Sequence, residues 1–396
     1  MNPETTKTMK TPLQLAALAL LLSTIIYQPS TAFAQGSLTP PGAPAPTMKS
    51  ADQIEPRTPI SSAPFTITNR GSYYLTTNLT VSSGNAIAIT TSGVTLDLNG
   101  FTLRSTTASA AGMGVQLNSG LRNITIVNGF IESGVTNNGS GTYSGSGFGY
   151  GIYYSGTPPV NIRVSGVSVT GCLYYGIYLY YGNSTVVESC TARTVGSVGI
   201  VGSTIKSCVA VDCGDSAIAG DEVSDCRGES VSGYGIYSTG TALNCYGNSA
   251  SGYGLYAYYT VIGCYGYSAG NGYGLSTSTA QNCYGSSAGS GYGLYAAFTA
   301  QNCYGSSSSS YGLRTGYSAS GCVGISSSGA GLSTYTAQNC YGQSGNVAGL
   351  SAITALNCYG VSSSGTGLSA VLADGCLGSS GGTPLSATHP INSFTY

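Results

Sequence analysis

The sequence predicts an all-β chain: a single-stranded right-handed parallel β-helix, or solenoid, of roughly fourteen coils that tapers towards its C-terminus. Three observations carry that prediction. One phrase recurs from Gly235 to Cys376, clearest over Gly293 to Gly305, and each copy holds one cysteine. The cysteines at 190, 208, 226, 245, 264, 283, 303, 322, 340, 358 and 376 are 18 to 20 residues apart, a period that marks a stacked repeat. A second column, about ten residues behind the first, runs Ile152, Ile177, Ile200, Ile218, Ile236, Leu255, Leu275, Leu294, Leu313, Leu332, Leu350, Leu368 and Leu385, with Ile87 and Val115 as earlier members. Parallel strands joined by crossovers in one sheet are strongly biased to the right-handed course. The left-handed alternative would show inward aliphatics at six-residue steps, which this split does not.

Composition bounds the rest. The 396 residues include 60 Gly and 32 Tyr, but only 12 basic and 13 acidic residues, for a net charge of −1. No charge footprint for nucleic acid or an anionic membrane exists. Regularly spaced aromatics argue against disorder, which goes with high net charge and few aromatics. Each coil of a solenoid packs only on its neighbours, so length sets no domain count.

Taken in order, residues 1–34 read as a secretory signal. Lys7 and Lys10 form its basic start, Leu13 to Ile26 its apolar stretch, and Ala32-Phe33-Ala34 its small-x-small cleavage site. The expectation is an exported protein (extracellular, at the cell surface or periplasmic) with no membrane span. Residues 35–70 read as a proline-rich linker and N-terminal cap. Within them Met48 to Glu55 suits either a short capping helix, with Ser50 at its start and Pro56 at its end, or plain extended linker. Residues 71–380 are assigned to the β-helix and 381–396 to a C-terminal cap or tail.

The first coils are alternating strands with true apolar content: Ser92 to Leu103, Asn123 to Phe130 and Asn161 to Val167. Aligning them on the cysteines puts Phe101, Phe130 and Val167 in the cysteine column. The residue before that column is then Gly100, Gly129, Gly166, Ser189, Ser207, Asp225, Asn244, Gly263, Asn282, Asn302, Gly321, Asn339, Asn357 and Gly375. Most of these are types that tolerate a left-handed backbone, so each is expected to turn the chain between two strands. Beyond Cys190 the inward residues become small, and Gly occupies the position two after each cysteine from Gly228 to Gly378.

Val94-Thr-Leu-Asp-Leu-Asn-Gly-Phe101 and the Tyr-Gly-Ile/Leu-Tyr units resemble the right-handed parallel β-helix of the pectin-lyase-like superfamily, over about residues 71 to 385. The resemblance implies the fold. It also implies company with β-helices that bind or cleave carbohydrates, although motifs of turn and core positions specify architecture rather than activity. A polysaccharide lyase of that group would need metal-binding acids and a basic proton abstractor on the Leu-column sheet, and no outward Asp, Lys or Arg repeats there.

The cysteine column reads most simply as buried thiols acting as small hydrophobes. Disulfides between stacked members and metal binding are the alternatives. Cys172 and Cys213 lie off the column, in coils two apart, roughly 9.6 Å from each other and out of bridging range. The residues after the cysteines form a tyrosine column, Tyr246, Tyr265, Tyr284, Tyr304, Tyr341 and Tyr359, interrupted by Val323. Alternation turns these rings outward. They are the candidate ligand-binding residues, as a platform for sugar rings or a protein surface; plain ring stacking along the sheet is the alternative. A second outward set is Tyr153, Tyr178, Tyr237, Tyr256 and Tyr295.

Charges cluster only around residues 188–229. Glu188 and Lys206 share one position in adjacent coils and should pair across strands. Asp221, Glu222 and Asp225 form a candidate weak calcium patch, with a solvated turn as the alternative. A glycosidase needs two carboxylates converging within about 5–9.5 Å, and no such pair is evident, so no catalytic residue is assigned. Asp97, Arg104, Arg122, Glu132 and Arg163 are scattered through the early coils, where the Gly134–Gly149 loop could wall a groove. The functional expectation is an exported noncatalytic β-solenoid with a surface-structural, adhesive or glycan-binding role, needing no cofactor unless calcium binds the acidic patch. Its partner would be a polysaccharide or cell-surface glycan. The alternatives are a polysaccharide lyase or glycoside hydrolase of the pectin-lyase-like group, and a self-assembling surface module.

Overall fold

Among the described residues every strand pair along the body is parallel, and the only antiparallel pair is a small hairpin, Gly134–Asn137 with Tyr143–Ser146. The computed structural model describes residues 55–396. The signal sequence and all of the Met48–Glu55 segment but its last residue lie outside them. The described chain is a parallel β-helix, as the early-coil resemblance implied, with no α-helix. None of its elements is a helix long and apolar enough to cross a membrane.

Each coil contributes to three ladders. The first runs from Thr58–Ile60 through the strand that precedes each cysteine to His389–Ile391, seventeen rungs in all. The second starts at Leu79–Val81 and carries the tyrosines. The third carries the Leu column in register from Ile87 and Val115 through Ile152 to Leu385. The structure thus has a few coils more than the fourteen read from the sequence. The Leu ladder begins one rung earlier than read, where Phe65 pairs with Ile87. Pro64, in place of the usual Gly or Ala, hides that member from a pattern search.

The turning residue behaves as its type requires. Ser189, Ser207, Asp225, Asn244, Asn282, Asn302, Asn339 and Asn357 all have φ between 50° and 54°, and Gly166, Gly263, Gly321 and Gly375 lie at 62–65°. One assignment in this column is corrected. Gly129, not Phe130, shares the rung position of Val167, and Phe130 is exposed. Asn128 makes the turn there, with φ 57°. A Cβ on Gly129 would sit 2.4 Å from Leu98 Cβ and 2.8 Å from the Phe101 carbonyl oxygen. The inward position admits no side chain, and a one-residue slip of register reverses every face.

The core narrows as expected. Early coils bury several large aliphatic side chains each, such as Leu96, Leu98, Leu103, Ile124 and Ile126, and Phe148 is fully buried. Late coils bury one Leu, an Ala such as Ala280 or Ala300, one Cys and one Ser. The serine ladder was overlooked in the sequence although its signal, Cys-x-Gly-x-Ser, is plain. Each hydroxyl donates to a carbonyl in the turn of the preceding coil: Ser249 to Gly233 (2.7 Å), Ser268 to Gly252 (2.7 Å), Ser287 to Gly272 (2.9 Å) and Ser307 to Gly291 (2.8 Å). Ser249, Ser326, Ser344 and Ser362 also accept a backbone N–H three residues on, from the turn of their own coil. A buried polar group is tolerated only when so partnered, and here the pairing fixes the turn itself.

Candidate functional site

In the strand Cys-Tyr-Gly-x-Ser, period-two alternation sends Cys, Gly and Ser inward and leaves Tyr outward. The left-handed turn just before Cys places the tyrosine beside the corner of the coil. Parallel register then stacks Tyr246 on Tyr265, Tyr265 on Tyr284, and Tyr284 on Tyr304. Ring centroids are 5.0, 4.7 and 4.8 Å apart, with planes within 6° of parallel. The rings cover one another's faces. What the stack turns outward is a row of ring edges and hydroxyls, not the flat platform expected from the sequence.

Between this stack and the column of turning residues runs an open trough of about 930 Å³. One wall is Tyr246, Tyr265, Tyr284 and Tyr304; the other is Asp225, Asn244, Gly263, Asn282, Asn302 and Gly321. Five cysteines, Cys226 to Cys303, border its floor. At one end the Arg227 guanidinium lies 5.5 Å from the Tyr246 ring centre and is paired with Glu229. Along the remaining length the lining carries hydroxyls and amides without charge. Burial, and then the neighbouring rings, push the Tyr265 hydroxyl above its ordinary pKa. Burial and the Tyr284 ring do the same for Tyr304, outweighing a bond from Ser306. Both therefore stay protonated and can donate. The trough can hydrogen-bond a neutral, hydroxyl-rich chain lying along the solenoid axis.

Of the six tyrosines proposed from the sequence, the structure brings four together. Tyr341 and Tyr359 lie beyond Val323, outside the trough, and meet edge to face at 61°. The acidic patch is spread out. Asp221 accepts bonds from the Gly182 N–H and the Thr239 hydroxyl, each at 2.7 Å. Asp225 sits at a left-handed turn and accepts from the Asn244 amide at 3.3 Å. Among the described residues no three His, Cys, Asp or Glu side chains are grouped to hold a metal ion. Glu188 and Lys206 are in register, yet the Glu188 carboxylate is met by Arg163 at 2.7 Å.

The early loop does wall a groove, as anticipated. The Gly134–Asn137 hairpin strand stands beside Arg104 and Glu132, which are ion-paired at 2.6 Å. Glu132 is the one acid lining it, and Asp97 is engaged by Arg57 at 3.1 Å, so no carboxylate pair faces this groove.

Two outward features went unread in the sequence. Tyr234, Tyr253, Tyr273, Tyr292 and Tyr311 form a second aromatic file two residues ahead of the Leu column, with Arg314 over Tyr292 and Tyr311. The Tyr-Gly-Leu spacing signals it. On the corner before the cysteine-side strand, Phe298, Tyr317, Tyr335, Ile353 and Val371 form a ridge through five consecutive coils, each 46–59% exposed.

No family model matches the chain, and no curated protein matches it. Among solved structures, it is similar to the A-module of a mannuronan C-5 epimerase from Azotobacter vinelandii. The identity is 14% and the TM-score 0.30, over 83% of this chain and 91% of that one. It is also similar to the enzymatically active domain of tailspike protein 2 of bacteriophage CBA120 (13% identity, TM-score 0.26, 80% of this chain and 46% of that one). A third is the Dettilon tailspike protein, at 14% identity and a TM-score of 0.27, over 83% of this chain and 58% of that one.

Proposed function

We propose that this chain is an exported, noncatalytic β-solenoid that binds a neutral glycan strand lengthwise in the trough beside Tyr246–Tyr304. The observation that carries the reading is the lining of that trough. Four phenol hydroxyls repeat at the strand spacing and face three exposed Asn side chains, Asn244, Asn282 and Asn302, interrupted by Gly263, with charge confined to one end. Repeated uncharged donors and acceptors suit a polymer of repeated hydroxyls. Neither the trough nor the early groove is lined by the two convergent carboxylates that glycoside hydrolysis uses.

The test is a panel of neutral and acidic polysaccharides, with and without calcium, scored for binding, reducing ends and unsaturated products. Binding of a neutral polymer without turnover is the expected result. Reproducible turnover would sink the noncatalytic reading, and binding that needs calcium would move the site to Asp221, Glu222 and Asp225. Replacing both Tyr284 and Tyr304 by Ala should abolish binding; unchanged affinity removes the trough.

The exposed ridge of Phe298, Tyr317, Tyr335, Ile353 and Val371 favours a second reading, a surface module whose copies pack side by side. Contiguous exposed apolar surface of this kind marks interaction sites. Sedimentation should show association that grows with concentration and is lost in Tyr317→Ser; a monomer at all concentrations ends this reading.

A further inference from the structure

The eleven column cysteines share one hydrogen bond at every rung. Each Sγ donates across the turning residue to the backbone carbonyl two residues earlier, at the end of the preceding strand, at 3.0–3.3 Å from Cys190 to Cys376. Identical partners mean one shared side-chain conformation, so each sulfur sits at the same point of its coil. Neighbouring sulfurs are therefore one strand spacing apart, about 4.8 Å. A second set of bonds runs along the axis. The N–H groups of Cys190, Cys208, Cys245 and Cys358 donate to the sulfur of the next rung, at 3.2–3.5 Å.

This spacing is wrong for one chemistry and right for another. A disulfide brings its β-carbons to roughly 3.5–4.5 Å, closer than a ladder held at about 4.8 Å supplies without distortion. A zinc–thiolate bond is about 2.3 Å, and two metal–sulfur bonds of that order, laid end to end, span about 4.6 Å. Soft thiolates select soft monovalent ions such as Cu(I). Two-coordinate binding needs no third ligand, so it is compatible with the lack of any larger ligand cluster among the described residues. Cys226, Cys245, Cys264, Cys283 and Cys303 border the open trough but are only 2–3% exposed, so an ion must pass the turn that covers them.

We propose that adjacent cysteines of the Cys226–Cys303 stretch are two-coordinate sites for a soft monovalent cation of the Cu(I) or Ag(I) class. Two thiols and one ion give one linear thiolate–metal–thiolate bridge and release two protons, and nothing is oxidised or reduced. Each sulfur serves one ion, so the five trough cysteines hold two.

The probe is Ag(I), which stays monovalent in air, added to the reduced full chain. Native mass spectrometry, proton release and circular dichroism are followed together. The expected result is discrete uptake with two protons released per ion, two sulfur neighbours per ion by X-ray absorption, and an unchanged β-sheet spectrum. The variant is Cys264→Ser with Cys283→Ser. Serine is tolerated in this column: Ser393 occupies the next rung, accepts the Cys376 N–H at 3.2 Å, and donates to the Ile391 carbonyl two residues back at 2.9 Å. That variant should bind one ion fewer, while Cys172→Ala, off the column, should bind as many as the parent. Uptake only with loss of the β-sheet spectrum, three or more sulfurs per ion, or the same stoichiometry in the double variant would each overturn the proposal.

Discussion

The Tyr143 hydroxyl donates a 2.8 Å hydrogen bond to Oδ1 of Asp212, and the Asn137 amide donates to the same oxygen at 2.7 Å. These two bonds clip the inserted hairpin to a coil that arrives some seventy residues later. Tyr143→Phe keeps the ring and removes one donor to a charged acceptor, a bond worth about 1.5–3 kcal/mol. The hairpin should then open more often while the rod stays intact. Limited proteolysis near Gly139 and Gly141 and amide exchange across 134–146 should both speed up, with exchange in the Leu ladder unchanged. Equal protection in the variant and the parent would show that the clip contributes nothing.

The same clip should respond to acid. Burial alone would raise the Asp212 carboxyl. Bonds from Asn137, Tyr143 and Thr194, with the Arg193 charge, together outweigh burial and hold it below its ordinary value. A carboxylate depressed in the folded state contributes stability above its unfolded pKa of about 3.9, and that contribution is lost as pH falls through the lower folded value. Hairpin protection should therefore be flat from neutral pH down to about pH 4 and drop below it. In Asp212→Asn the acid-dependent step should vanish. A step that persists in that variant belongs to another group.

Gly285 tests the narrow core. A Cβ there would lie 2.3 Å from the Gly293 carbonyl oxygen and 3.0 Å from Leu294 Cβ. Two backbones cross the coil in contact, and neither can give way without breaking its ladder. Gly285→Ala should cost at least the roughly 1–3 kcal/mol of ordinary overpacking, read as a lower unfolding midpoint in denaturant. Ser286→Ala, one residue on and facing outward, should leave the midpoint where it is. Equal midpoints for the two variants would mean that the late coils are looser than this packing.

What the sequence disclosed and what it hid divide along physical lines. The Cys and Leu columns were legible because one inward residue per coil must repeat at the coil period. The turning column was legible because only Asn, Asp, Ser and Gly appear at it. Phe130 was misassigned because a Phe looks like core, and only the atoms of Leu98 and Phe101 show that its rung has no room. The serine ladder was passed over because a polar residue reads as surface until its carbonyl partners are seen. The tyrosine column was found, but its ring orientation was not. That orientation follows from the 4.7–5.0 Å ring spacing, which lets each ring lean on the next instead of lying flat on the sheet.

That orientation decides how the trough would meet a glycan. Sugar rings that stack on aromatics need open ring faces, and here the faces of Tyr265 and Tyr284 are covered on both sides by their neighbours. The hydroxyl is the group left to contact a ligand. Tyr284→Phe retains the ring, its stacking and therefore the fold, and removes only that hydroxyl. A hydrogen bond of about 0.5–1.5 kcal/mol should be lost, so affinity should fall by roughly two- to tenfold. Tyr341→Phe, beyond the trough, should bind as the parent does. Titration of a polysaccharide that binds the parent, by calorimetry, makes the comparison. If Tyr284→Phe binds normally while Tyr284→Ala does not, the ring itself carries the contact, and the edge-and-hydroxyl account of this surface is wrong.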